Sequence, residues 1–281
     1  LMTNRGGHPL KGLISGSLDL DKIEYLSRDA WMCGVPYGTV DVNRLVAALT
    51  LVEAGPGQFE VGVQEKGVSA LESLLFAKYQ MYRNVYWHHA VRAATCMFKR
   101  AVRVAVTDGV LRPQEIADTT DGGLMAILLA HDRTGLATAV QGRRLFKRAL
   151  DLPASDLSAE VQPWVSGDAD LLERVEDAVA REAGLRPGQL FIDFPTRTSM
   201  LSVDLPLRTR SGRVERLTDE GRAGSLGLPR VAAALYDSAR RFRVFTAERA
   251  GNALERVLGL LTQPADHVAR MIEADRPLLK F

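Results

Sequence analysis

The sequence predicts a mainly α protein that ends in a small α+β lobe. Three observations predict it. Apolar residues recur at helical spacing through the first two-thirds of the chain. No Pro or Gly interrupts the stretch from Val68 to Thr107. At Arg186-Pro187-Gly188 the composition shifts, and short strand-like runs take over.

The elements follow in order. After a loop rich in Gly and Pro, LDKIEYLSRDAWMC carries Leu20, Ile23, Leu26 and Ala30 near helical period, with Gly34 as its stop and Pro36 just beyond. A second helix is expected from Val42 to Glu53, closed by Gly55-Pro56-Gly57. Then FEVGVQEKG alternates like a short β-hairpin through Phe59, Val61 and Val63. From Val68 to Thr107 the stripe Leu71, Leu75, Tyr82, Val85, Met97 and Phe98 marks one very long helix or two that abut, ended by Asp108-Gly109. Shorter helices are expected at Gln114–His131, Leu136–Leu150 and Asp168–Ala183. QLFIDFP and SMLSVDLPL are strand-like, and RTRSGRVERL turns into another strand. A helix at Pro229–Ser238, a strand at Phe242–Phe245 and one or two final helices complete the lobe. This divides the chain into 1–112, a helical region 113–185 and the lobe 186–281.

The chain has 281 residues, enough for one large domain or two small ones at about 150 residues each, and enough to bury a core without staples. Lys and Arg number 36 against 34 Asp and Glu, a net charge of +2 with both signs interleaved. That argues against a basic nucleic-acid-coating protein and against an acidic disordered tail. Cys33 and Cys96 have no CxxC partner, which disfavours zinc ribbons and disulfide scaffolds and fits a reducing, cytoplasmic setting. The longest apolar run, Leu124 to Ala130, falls far short of the roughly 20 residues of a membrane span. The N-terminal LMTNRGGHPLKG lacks the apolar core of a signal peptide. It begins on Leu and reads like the middle of a longer sequence.

The informative segment is Ile14 to Asp41. Asp19 is placed to cap the first helix. Asp21, Tyr25 and Asp29 then fall at i, i+4 and i+8 on one stripe, with Lys22 beside them. Such a face suits a hard cation, phosphate oxygens and a sugar hydroxyl lying side by side. On spacing alone, a solvated face with Glu24 and Arg28 completing i,i+4 pairs is the better reading. The long helix adds Lys78, Tyr82 and Tyr86, again four apart, a set that suits a triphosphate and its nucleoside, though without context an amphipathic core helix with Tyr hydroxyls at its edge is the better reading. His88 and His89 point about 100° apart on a helix and do not chelate together.

DLDKIEYLSRD, then GVPYGTVDVNRL, then KGVSALESLLFAKYQMYRNVYWHH closely resemble the HD-domain deoxynucleoside triphosphate triphosphohydrolases. The resemblance is strong from Ile14 to Met97 and recognisable again near ARRFRVF (Ala239 to Phe245). It implies that residues 1–112 are the C-terminal part of an HD-type catalytic domain. It also implies a divalent cation, Mg, Mn or Fe, and hydrolysis of a deoxynucleoside triphosphate to deoxynucleoside and triphosphate, the cation offsetting α-phosphate charge and orienting a water. Position by position, Asp21 resembles the final metal-ligand Asp, and Lys22 and Tyr25 the phosphate contacts beside it. Asp29 and Tyr86 resemble the residues around the sugar 3′-hydroxyl. Lys78 stands where relatives carry an Arg that contacts the triphosphate. Arg44 and Lys66 resemble contacts to an activating nucleotide at subunit interfaces, which implies a homo-oligomer.

The family's first His and its His-Asp pair precede the final Asp, and His8 is the sole histidine ahead of Asp21 here. His131-Asp132 lies downstream, at the wrong place for the motif, and reads as a helix-terminal His. The expectation is therefore a fragment of a longer enzyme, against a natural short form that binds nucleotides without hydrolysing them. An HD-type phosphohydrolase of another nucleotide is the enzymatic alternative. RTRSGRVER and ARRFR are local basic patches that suit weak nucleic-acid binding, the rival from another class. GxxxxGK[ST], HExxH and GxSxG are absent, and GRAGSLG (Gly221 to Gly227) reads as a loop.

Overall fold

In a computed structural model of the chain, residues 9–13, 18, 20–157, 160–195, 203–218, 235–249 and 252–280 are described. Contacts divide it into two compact units, 1–86 with 197–239 and 87–196 with 240–281. The mainly α class with a small α+β part holds. The division does not follow the boundaries expected at 112 and 185, because strand pairing joins segments far apart in sequence. Each unit has its own sheet, and the strand expected at Phe59 to Val63 belongs to the sheet of the first.

In the first unit, helix α1 (Leu20–Met32) buries Ile23, Leu26 and Ala30, the stripe expected from the sequence, and packs on α3 (Val68–Met81). Gly34, at φ +64°, ends α1. The chain then folds back through Pro36–Gly38. A Cβ at Gly38 would stand 2.4 Å from Ala30 Cβ and 2.5 Å from the Leu26 carbonyl oxygen, so only glycine permits this approach. Ser27 Oγ donates to the Gly38 carbonyl at 3.0 Å.

Helix α2 covers only Val42–Val46. The helix expected as far as Glu53 gives way to strand β1 (Leu49–Gly55), which pairs antiparallel with β2 (Gln58–Gln64) about Pro56-Gly57. The alternating Phe59, Val61 and Val63 thus form one strand of a hairpin whose other strand precedes them. Pairing outweighs helix propensity here, and Leu-Thr-Leu-Val suits a pleated surface. Strand β2 also pairs parallel with β5 (Leu205–Arg208), and β5 pairs antiparallel with β6 (Val214–Leu217). Helix α10 is described over 235–239. Tyr79 Oη lies 3.3 Å from Ser238 Oγ, a hydrogen bond that links α3 to α10.

The second unit begins with α4 (His89–Thr107). The long apolar stretch is therefore two helices, parted by a π turn over Tyr82–Tyr86 and by His88 in extended backbone. The helix expected at 114–131 is likewise two, α5 (Pro113–Asp118) and α6 (Asp121–Ala130), because Thr120 Oγ1 accepts the Gly123 N–H and caps a new start. Helix α7 (Leu136–Gln141) stops at Gly142, and Arg143 follows with φ +54°. The rest of that expected helix is strand β3 (Lys147–Pro153).

Helices α8 (Trp164–Gly167) and α9 (Ala169–Glu182) follow, with Asp168 capping α9. Strand β7 (Arg241–Thr246) is the centre of a sheet, with β3 on one side and β4 (Leu190–Asp193) on the other, both antiparallel. Alternation along the strands feeds two cores. Leu190, Ile192, Phe242 and Val244 face α9, α11 (Val257–Leu260) and α12 (Ala265–Glu273). Phe191 and Phe245 face Met97, Ala101, Leu128 and Leu136.

Two buried ionic groups tie this unit together. Arg100 on α4 pairs with Glu173, Glu176 and Asp177 of α9. Glu176 also accepts the Ile192 N–H at 2.8 Å. Burial, helped by the Asp177 charge, pushes its carboxyl up to about 7 despite Arg100. Arg92 clasps Asp193 through Nε and Nη2. Beside them Arg243, 4 % exposed, stands 3.4 Å from Asp151 and 3.8 Å from Asp193. Its Nε and Nη1 make no hydrogen bond among the described residues.

Candidate functional site

The burial of Ile23, Leu26 and Ala30 fixes the rotation of α1, and so decides where its polar residues go. Asp21 is exposed in the first turn, while Lys22, Tyr25 and Asp29 are half-buried. The Tyr86 hydroxyl donates to Asp29 Oδ2 at 2.8 Å. The Tyr25 ring meets Tyr86 edge-on, 6.3 Å between centroids, and Tyr82 meets it at 5.2 Å and 79°. Two segments that the sequence presents separately thus converge, Tyr25 and Asp29 from α1 with Tyr82 and Tyr86 from the π turn. Lys78 is buried in the last turn of α3, four residues before Tyr82.

The solvated-face reading of α1 holds on another side of the same helix. Arg28 pairs with Glu24 at 3.1 Å, both more than half exposed. Its Nε also lies 3.6 Å from Asp29 Oδ1.

Burial raises the Tyr86 phenol well above its ordinary value, and the hydrogen bond to Asp29 and that carboxylate's charge raise it further. Burial raises Tyr82 as well. Both phenols therefore keep their protons at neutral pH. With its O–H directed to Asp29, Tyr86 leaves its oxygen lone pairs to accept from an incoming hydroxyl. Asp29 keeps lone-pair capacity for the same purpose.

Among the described residues no three His, Cys, Asp or Glu side chains are grouped to hold a metal ion. Asp21 supplies a single carboxylate, so the described residues do not by themselves form a metal shell. His8, Asp19 and GRAGSLG, like the start of the helix expected at Pro229, lie outside the described residues. His131 Nδ1 lies 3.1 Å from the Ile127 carbonyl oxygen at the end of α6. Asp132 accepts the Thr138 N–H at 2.7 Å and the Thr134 hydroxyl at 3.1 Å. This His-Asp pair ends one helix and braces the start of the next.

Arg44 and Lys66 are brought together, with Arg44 Nε donating to the Lys66 carbonyl at 3.1 Å. In the two basic segments several arginines are engaged internally. Arg216 pairs with Asp204 and Glu60, Arg240 stacks 3.5 Å from the Phe194 ring centroid, and Arg241 pairs with Asp151.

Sequence reasoning missed the π turn. Its signal was Asn84 in the middle of YRNVY, a residue whose side chain competes with the backbone for hydrogen bonds inside helices. No helix among the described residues is long and apolar enough to cross a membrane.

Comparison with known proteins adds a family. Residues 40–222 match the family described as HD associated region. An uncharacterized protein of Methanocaldococcus jannaschii is 34% identical over 158 residues, 56% of this chain and 34% of that protein. The uncharacterized Bacillus subtilis protein YwfO is 33% identical over 93 residues, 33% of this chain and 20% of its own. The chain therefore spans about a third or less of the length of these relatives. Among solved structures, a phosphohydrolase of Bacteroides thetaiotaomicron superposes with TM-score 0.55 at 17% identity, covering 84% of this chain and 63% of that one. At that identity the likeness is one of fold.

Proposed function

The chain belongs to the family of HD associated regions, and from that membership and its polar site we propose that the complete protein hydrolyses deoxynucleoside triphosphates to deoxynucleoside and triphosphate. One observation carries the reading: the Tyr86 hydroxyl on Asp29, with Tyr25 against the same ring. It builds a hydroxyl-recognition corner on the helix that also carries Asp21 and Lys22. The fold likeness to a protein named a phosphohydrolase supports the reaction class.

On this reading Asp29 and Tyr86 hold the sugar 3′-hydroxyl, and Tyr82 and Tyr86 crowd the face where a ribose would carry its extra hydroxyl. Lys22, Tyr25 and Lys78 contact phosphate oxygens. Asp21 is one ligand of a divalent cation, Mg, Mn or Fe, whose remaining ligands come from outside the described residues. Arg44 and Lys66 contact an effector nucleotide in a homo-oligomer.

The test is to incubate the complete protein with each deoxynucleoside triphosphate and a divalent cation and to separate the products. Deoxynucleoside and triphosphate in equal amounts are expected. Monophosphate with pyrophosphate, or no turnover of any of the four, overturns the reading.

A further inference from the structure

The residue that follows Arg83 in the π turn makes an unusual bond. Asn84 Nδ2 donates to the Gln80 carbonyl at 2.9 Å, the carbonyl that an uninterrupted α-helix pairs with the backbone N–H of residue 84. The preceding residue leans back in the same way, with Arg83 Nη1 on Tyr79 Oη at 2.9 Å. Helix α3 is still closing ordinary turns at Tyr82, whose N–H reaches the Lys78 and Tyr79 carbonyls. The widening therefore starts beyond Tyr82, where the i→i+5 pattern takes one more residue per turn and removes backbone donors from the ordinary ladder. Asn84 returns a donor to that ladder from its side chain.

This matters for Tyr86. In a continuing α-helix four residues turn about 40° past a full circle, and side chains four apart still meet on one face. In the wider turn four residues rotate less than that, so Tyr86 leaves the axis at another angle, and there its hydroxyl meets Asp29 while its ring keeps edge-to-face contact with Tyr82 at 5.2 Å.

We propose that Asn84 is a positioning residue, whose amide holds the π turn open and thereby sets the Tyr86 hydroxyl on Asp29. That it thereby tunes recognition of the sugar rests on the nucleotide reading above.

The experiment uses the full-length protein with ¹³Cζ-labelled tyrosine, six in this chain, the Tyr86 resonance being assigned by its loss in Tyr86→Phe. In Asn84→Ala the Tyr86 resonance is expected to move toward that of an exposed phenol, and in Asn84→Gln, which keeps the amide, to return toward wild type. An unmoved resonance in a folded Asn84→Ala overturns the role of Asn84. In parallel, the affinity ratio for deoxyadenosine over adenosine triphosphate is measured, and Asn84→Ala is expected to narrow it about tenfold. A shifted resonance with an unchanged ratio leaves Asn84 as the positioning residue and overturns the sugar reading instead. If the wild type binds neither nucleotide, the proposed substrate falls and the resonance still decides Asn84.

Discussion

Tyr86 and Asp29 stand 57 positions apart in the chain, and their side chains meet in a 2.8 Å hydrogen bond. Tyr86→Phe keeps the ring packing on Tyr25 and Tyr82 and deletes only the donor. A loss of about 1 kcal/mol in unfolding free energy is expected, measured by urea titration. Under the proposed function, the same change weakens deoxynucleoside triphosphate binding in the complete protein. Unchanged affinity would detach this pair from the sugar.

Asp21 separates stability from activity. It is exposed in the first turn of α1, where a carboxylate contributes about 0.3–1 kcal/mol through the helix dipole. Asp21→Ala should therefore leave thermal unfolding nearly unchanged while abolishing turnover by the complete protein. Measurable hydrolysis by that variant removes the metal-ligand role.

Arg92 and Arg243 lie against the same Asp193 and are expected to behave oppositely. Arg92→Ala removes the guanidinium that hydrogen-bonds a carboxylate 3 % exposed, leaving Arg243 at 3.8 Å, and should cost about 3–5 kcal/mol, the usual consequence of removing one partner of a buried pair. Arg243→Met removes a buried guanidinium whose Nε and Nη1 make no hydrogen bond among the described residues. It leaves Arg92 on Asp193, and Arg148 with Arg241 on Asp151. It should be neutral or stabilising. Equal losses from the two changes, in chemical denaturation, would contradict this assignment.

Glu176 sets a pH dependence. Its folded-state value of about 7 lies above that of an exposed Glu, so between the two the folded protein holds a proton that the unfolded chain has released. Stability from this group is then full at acid pH and declines as pH rises through that window. Denaturation midpoints should fall between pH 5 and pH 8. Glu176→Gln, which cannot ionise, should flatten that difference; an equally steep fall in the variant would place the titration elsewhere.

The sequence by itself determined the mainly α class, helix α1 with its buried stripe, helix α9, and the strands at Phe191 and Phe242. Each of these carries its own periodicity and stop signals. It also placed Asp21, Lys22, Tyr25 and Asp29 on one helix face, through spacing alone. Tertiary structure decided the rest. Strand β1, read as helix, exists because β2 is there to pair with it. The same holds for β3, whose residues continue a helical pattern until β7 claims them. The convergence of Tyr86 on Asp29 is of this kind too. It comes with a π turn over Tyr82–Tyr86 whose local trace is one asparagine. Short-range patterns record what a segment can bury against itself, whereas strand pairing, a widened helical turn and a contact across 57 residues are chosen by partners that no local window contains.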